Sequence, residues 1–320
     1  VPIQNRITQV GIAKQNAKGA AAATAAYQLG VNSGAVTNAE VSEEDLPITW
    51  ASRLIQGHDR TAVYPGADFE TLALPKSIGT LLQAACGQDA VTGSGPYVHT
   101  FKHALSLPYL SLFARKDAEY FKVSDARVNE LELSWEQTGA LRVKVVMGGC
   151  TYEFLGAPYT ADADERPQAG VFKGCGGSFT VNGASAIVRS GSIKVSNGIE
   201  PIYGSDSVLP KDVFPQVQTV DVSLTIVPDN LQEFRRTLTG APAGSAVACN
   251  PTYGAVSAQW RVDPDTHLTF ESSRLKTVVG FPETNAQGGP VELTLEGSVA
   301  EPAASDAYTF VLSNDVTAAY

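Results

Sequence analysis

Residues 128–147 read VNELELSWEQTGALRVKVVM, and the reading of this stretch decides the fold class. Along 128–136, Leu131, Leu133 and Trp135 alternate with Glu130, Glu132, Ser134 and Glu136. A period of two belongs to a strand with one buried and one wet face. Along 141–147, Val143 and Val145 alternate in the same way with Arg142 and Lys144. Thr138, Gly139 and Ala140 fit a three-residue hairpin loop. Pairing Gln137 with Leu141 sets Glu136 opposite Arg142 and Ser134 opposite Lys144, so like faces stay together.

Similar short segments rich in Val, Leu, Thr and Phe fill most of the chain, separated by Gly, Pro, Asn and Asp. Two stretches read instead as helices. The first spans 77–86, with Ser77 as N-cap and Gly87 as the residue that ends it. The second spans 231–239, capped by Asp229 or Asn230, with Leu231, Phe234 and Leu238 on one face and Gly240 as its stop. Their spacing suggests a duplication with a period of about 150 residues. Strands at 68–74 and 219–226 precede the two helices, matching Glu70 to Asp221, and irregular segments at 50–67 and 201–218 precede those strands as long loops. The hairpin at 128–147 has its counterpart in 268–277 and 291–297. The polar stretch 157–177 reads as a linker. The expected organisation is thus an N-terminal segment (1–38), a first domain (39–156), the linker (157–177) and a second domain (178–320), each domain a β-sandwich with one helix.

With 43% hydrophobic and 18% charged residues in 320, the chain has ample material for a core. No apolar run reaches the length of a membrane span, and the mean hydropathy is -0.04, so a soluble chain without membrane contact is expected. The start lacks the build of a secretory signal. The net charge of -10 opposes a protein that grips phosphates but suits one past which nucleic acid slides. Cys86, Cys150, Cys175 and Cys249 stand singly and are expected as free buried thiols. His58, His99, His103 and His267 show no zinc spacing, and the residues between His99 and His103 favour extended structure. Asp162, Asp164 and Glu165 open like a calcium loop but lack its glycine and closing glutamate. Ser178 does not complete a nucleophile elbow, and Glu130 and Glu132 have no opposing acid for glycoside hydrolysis. Neither catalysis nor a cofactor is expected.

A further set of segments occurs in a fixed order: KSIGTLLQAACG (76–87), PYVHTF (96–101), LSLPYLSL (105–112), YFKVSDARVNELELS (120–134) and VRSGSIKVSNGIE (188–200). In that order they resemble the tail tube proteins of siphophages, in the subfamily with two fused tube domains. The resemblance covers nearly the whole chain, departing from it in the weakly patterned segment up to about Asn38. It implies a mainly β fold of two tandem tail-tube-type β-sandwich domains, whose sheets join between subunits into a barrel around a channel. It implies trimeric, pseudo-hexameric rings that stack into the tail tube of the virion, assembled in the host cytoplasm. The implied partners are further copies of the chain and the tape measure, distal tail and terminator proteins, with DNA as transient cargo. On this reading the long loops reach the neighbouring ring through Arg53, Asp59, Arg60 and Tyr64 and through Asp206, Lys211 and Asp212. Glu70, Glu130, Glu132, Glu136, Asp221, Glu292 and Glu296 then face the channel as a negative wall. The same alternation is what any half-buried sheet shows on its solvent side. The rival from another class is a β-sandwich virion decoration or carbohydrate-binding module, which would gain nothing from a duplication. An enzyme on a sandwich scaffold ranks behind it.

Overall fold

The computed structural model describes residues 8–45, 58–250, 253–279, 291–300 and 306–320. In its first part the strands are β1 (Thr8–Lys14), β2 (Ala25–Gly30), β3 (Ser33–Asp45), β4 (His58–Leu72), β5 (Gly87–Thr92), β6 (Tyr97–His103), β7 (Leu110–Lys116), β8 (Glu119–Glu136), β9 (Arg142–Gly148), β10 (Thr151–Leu155) and β11 (Ala161–Asp164). The second part holds β12 (Lys173–Val181), β13 (Ala184–Ser185), β14 (Ile187–Ser196), β15 (Glu200–Tyr203), β16 (Pro210–Phe214), β17 (Thr219–Val227), β18 (Tyr253–Arg261), β19 (His267–Val279), β20 (Leu293–Val299) and β21 (Tyr308–Asn314). Helix α1 (Ser77–Cys86) follows β4 and α2 (Gln232–Thr239) follows β17.

Strand pairing repeats. In the first part β1 pairs with β2 and β7, β8 with β7, β9 and β10, and β4 with β3 and β9. In the second, β12 pairs with β13 and β18, β19 with β18, β20 and β21, and β17 with β14 and β20. All of these pairs are antiparallel. The long strands β8 and β19 each run through two sheets and change partners along their length. In β8 the change falls at Asp125, which has a φ of 52°, and is followed by a bulge between Val128 and Glu130. The apolar sides of the sheets meet in one core that includes Phe69, Leu131, Leu133, Trp135, Val143, Val145, Trp260 and Phe270.

Two ladders join the repeats. β14 lies along β8, from Ser190 opposite Glu136 to Ser196 opposite Glu130. The β5–β6 hairpin, inserted after α1, lays β6 along β21 with Phe101 opposite Phe310.

Helix α1 occupies the stretch read as helical, and Gly87 closes it with a φ of 97°. Its start differs from expectation. Ser77 is the first helical residue, and the cap comes from the stretch read as a linker, where the Glu165 carboxylate accepts the N–H groups of Lys76 and Ser77 at 2.8 Å each. The same stretch holds β11, parallel to β2, and the fully buried Phe172. Helix α2 also ends as read, at Gly240, and Asn230 Oδ1 accepts from the Gln232 N–H. From the segment read as preceding the first domain, β1 and β2 enter the sheet beside β7.

Two expectations are corrected. The hairpin register moves by two residues, so Ser134 faces Arg142 and Glu132 faces Lys144. Trp135 and Glu136 extend beyond the paired part of β9, and Leu141 turns away to give its N–H to Phe172 O and accept from the Ala73 N–H. A shift of two keeps the faces unchanged, as the pleat requires. The segments read as long loops also hold strands: the described part of the first, 58–67, belongs to β4, and β15 and β16 form a hairpin over 200–214 in the second. Among the described residues no helix is long and apolar enough to cross a membrane.

Glu165 leaves a measurable signature. Glu165→Ala strands two helix N–H groups in a buried setting and is expected to cost about 2–3 kcal/mol in urea unfolding. Glu165→Gln, with one carbonyl oxygen to accept, should cost about half of that.

Candidate functional site

The larger sheet runs β3–β4–β9–β8–β14–β17–β20–β19, with the last strand entering through its C-terminal part. Alternation sends Phe69, Val145, Leu133, Ile193, Leu224 and Leu295 into the core and leaves the opposite face polar. Strand registers place Glu70, Lys144, Glu132, Lys194 and Asp221 in one transverse row, continued by Ser298 and Lys276. Glu70 and Asp221, matched across the duplication, therefore share a row. Glu130 and Glu296 lie in the rows on either side of it and Glu136 one row further out, all on the same face. Glu292 precedes β20 and ion-pairs with Arg189.

Six of the seven predicted carboxylates thus share one side of a continuous sheet, with Glu292 just ahead of β20, but the side is not purely acidic. Arg142 meets Glu70 at 3.1 Å, Lys144 meets Asp68 at 3.6 Å and Lys194 meets Glu130 at 2.8 Å. Each pair is part exposed, so none stabilises the fold by more than about 1 kcal/mol. The carboxylates outnumber the cations, and Ser134, Ser190, Ser192, Ser196, Ser223 and Thr225 fill the centre with short hydroxyls. The alternation of Arg142 and Lys144 with valines was the available signal for cations here. It appears once β9 is placed between β4 and β8.

The residues predicted on the two long segments, 50–67 and 201–218 (the two arms), fall into two groups. Arg53 lies outside the described residues. Asp59 and Arg60 are exposed on β4, opposite Glu44 and Glu43 of β3. Tyr64 is turned inward, with its ring against Gly148, where a Cβ would come within 1.7 Å of the hydroxyl. Burial pushes that hydroxyl up to about 12. In the second arm Lys211 meets Asp206 at 2.9 Å at the exposed turn, and its hydrogen bond holds the Asp206 carboxyl below the ordinary value. Asp212 is an anchor, accepting from Lys18 at 2.8 Å and from the Tyr109 hydroxyl at 2.9 Å. Burial alone would raise its pKa, but these hydrogen bonds and that of the Val213 N–H lower it on balance. The two arms touch where the Val63 N–H donates to Val208 O at 2.8 Å.

Other chemistry is absorbed by structure. His99 is extended on β6 as expected and fully buried, between Asp89 at 3.2 Å and Val316 O at 2.9 Å. Asp162 and Asp164 sit on β11, and among the described residues no group of three or more His, Cys, Asp or Glu side chains could hold a metal. All four cysteines are free, but Cys175 and Cys249 are exposed, correcting the expectation that all are buried. Burial pushes the Cys86 thiol up to about 12 and the Cys150 thiol up to about 11.

Removing the anchor has a pH signature. Asp212→Asn should cost about 1 kcal/mol at pH 7, through weakened hydrogen bonds to Lys18 and Tyr109. The folded-state pKa is lowered, so this contribution is full above the unfolded carboxylate value of about 3.9 and fades as pH falls through the folded one. Urea midpoints of the two proteins should therefore differ at pH 7 and converge near the acid end of the titration.

A protein-family model described as phage tail tube protein matches residues 5–299. No curated protein matches the chain.

Proposed function

The chain belongs to the phage tail tube protein family, and from that membership we propose how this structural component of the virion tail builds a tube. Copies join head to tail into closed rings of three chains and six repeats, and the rings stack into the hollow tube of a siphophage tail. Each repeat acts as one tube domain, linked through residues 157–177, with 1–38 supplying β1 and β2 to the first.

One observation carries this reading. Within the chain, β14 of the second repeat completes its sheet on β8 of the first. The counterparts of these two strands are β3 and β19. Among the described residues β3 has β4 on one side and no strand on the other. Beyond Lys276, β19 has β20 on one side and likewise no strand on the other. Joining such a margin to that of a second copy repeats the internal ladder and removes exposed edges, which otherwise template aggregation. The polar sheet face lines the channel, where its excess of carboxylates repels the phosphates of passing DNA. The arms carrying Asp59, Arg60, Asp206 and Lys211 reach the next ring. Tape measure, distal tail and terminator proteins meet the tube along its channel and at its ends, and assembly takes place in the host cytoplasm.

Electron microscopy of the purified protein should show rings or filaments that grow with concentration. A particle holding the mass of one chain at every concentration would sink the proposal in favour of a decoration or carbohydrate-binding module. For the channel face, Glu130→Lys with Glu132→Lys should leave tubes intact but slow genome ejection. Ejection kinetics equal to wild type would remove the assignment of that face.

A further inference from the structure

Two cross-strand pairs set like charges directly opposite each other. On the first arm Glu44 of β3 faces Asp59 of β4, and at the start of β12 Lys173 faces Arg261 of β18. All four residues are exposed. Like charges so placed oppose strand pairing, so the single chain holds each pair against its own stability.

Neither pair is neutralised inside the chain. Arm residues alternate between two faces, and the face that carries Glu43 and Asp45 matches them with Arg60 at 3.8 Å and His58 at 2.7 Å. Among the described residues, Glu44 and Asp59 on the other face have no ion pair, and neither have Lys173 and Arg261. Arg261 donates its Nε–H to the uncharged Gln259 Oε1 at 2.9 Å. Asp263, in the turn beyond, accepts the N–H groups of Asp265 and Thr266 instead.

The pairs also lie at opposite ends of the first repeat. Lys173 bridges Ala140 in the β8–β9 turn, by the end of β4 where Leu72 faces Arg142, whereas Asp59 stands at the other end of β4. That strand is 15 residues long, about 50 Å at 3.3 Å per residue, so the acid pair and the basic pair of one chain cannot reach each other.

We propose that the Glu44–Asp59 pair of one copy seats on the Lys173–Arg261 pair of a second copy stacked end to end on it. The occupant is a second copy because this chain presents two exposed pairs of opposite sign, two charges in each, at opposite ends, and each lacks what the other supplies. The contact is heterologous, since one copy gives its arm and the next its β12–β18 margin, so it propagates as a stack and does not close on itself. It rests on the tube reading and names the surface that receives the first arm in the next ring. Charges that repel across strands within one chain then attract between chains, which ties relief of the repulsion to stacking.

Charge reversal tests the seating. Glu44→Lys with Asp59→Lys, and separately Lys173→Glu with Arg261→Glu, keep a like-charged pair in each place, so both proteins should match wild type in circular dichroism and melting temperature. Each alone opposes like to like and should show rings without filaments in electron microscopy. Mixed in equal amounts they should form filaments again, because the reversed arm of one meets the reversed margin of the other. Lys173→Glu by itself sets opposite charges across β12 and β18, so it should melt no earlier than wild type and yet lose stacking, which a purely structural role for Lys173 would not produce. Glu44→Gln with Asp59→Asn, and Lys173→Gln with Arg261→Gln, replace any reversed variant that melts early and should likewise stop at rings. Variants that stack as wild type does, or a mixture of the two reversals that stays as rings, overturn the seating while leaving the tube reading in place. A wild type that forms neither rings nor filaments overturns both.

Discussion

The ladder between β14 and β8 is the constraint on which the rest of the structure depends. A strand in the middle of a sheet must satisfy its N–H and C=O groups on both sides, and β14 does so with β17 on one side and β8 on the other. This makes one sheet out of two repeats. The join tolerates little change at Gly191, where a Cβ would come within 2.5 Å of the Trp135 ring and 2.8 Å of Leu224. Trp135 in turn meets Trp260 edge to face at 4.8 Å, so an aromatic contact between repeats backs the ladder. A side chain at 191 would press on that contact and on the ladder together.

The join also explains why two helices of similar origin fare differently. A helix of ten residues is marginal by itself in water, and α1 persists because every one of its residues is buried and both ends are satisfied. Ile78, Leu81 and Leu82 each contribute on the order of 1.5–3 kcal/mol by burial. Asn197, just after β14, donates to Ala85 O at the helix end, so the second repeat helps to close the helix of the first. Helix α2 lies inside the second repeat, between β17 and β18. None of its residues is buried. Its local signals are nonetheless sound, with Asn230 at its start and a left-handed Gly240 at its end.

Legibility in the sequence followed the range of the interaction. Alternation over 128–147 revealed the strands and their faces, because which side is buried depends on parity alone. Both closing glycines were readable, since a left-handed residue after a helix favours glycine for local steric reasons. The duplication was visible in the spacing of the helices. Distant pairing was not. Glu165 caps a helix almost ninety residues upstream, and within a polar stretch its sequence context reads as linker. The hairpin register slipped because Leu141 leaves the hairpin to bond Phe172 and Ala73, distant partners that no local turn rule contains. Segment 58–67 was read as loop because Tyr64, Pro65 and Gly66 look like punctuation, yet Gly66 serves close packing, with a Cβ there meeting Met147 O at 2.6 Å. The acidic residues of the sheet face were found by parity, while their cationic neighbours required the strand order.

That strand order changes what the face does electrostatically. In the row Glu70, Lys144, Glu132, Lys194 and Asp221, each cation stands between carboxylates on adjacent strands. Like charges directly opposite one another would destabilise the sheet, so the alternation permits a densely charged face. Lys194 is already engaged by Glu130, and Arg142 by Glu70. A lysine held in this way is a poor grip for phosphate, because binding DNA would require giving up a carboxylate first. At physiological salt the field of each pair fades within about 8 Å. At larger distances the excess of carboxylates is what remains, and it is repulsive. If this face lines the channel, DNA would meet a wall that is locally neutralised, short in its central side chains and repulsive on balance, which suits passage better than a uniformly acidic lining whose own repulsion the sheet would have to bear.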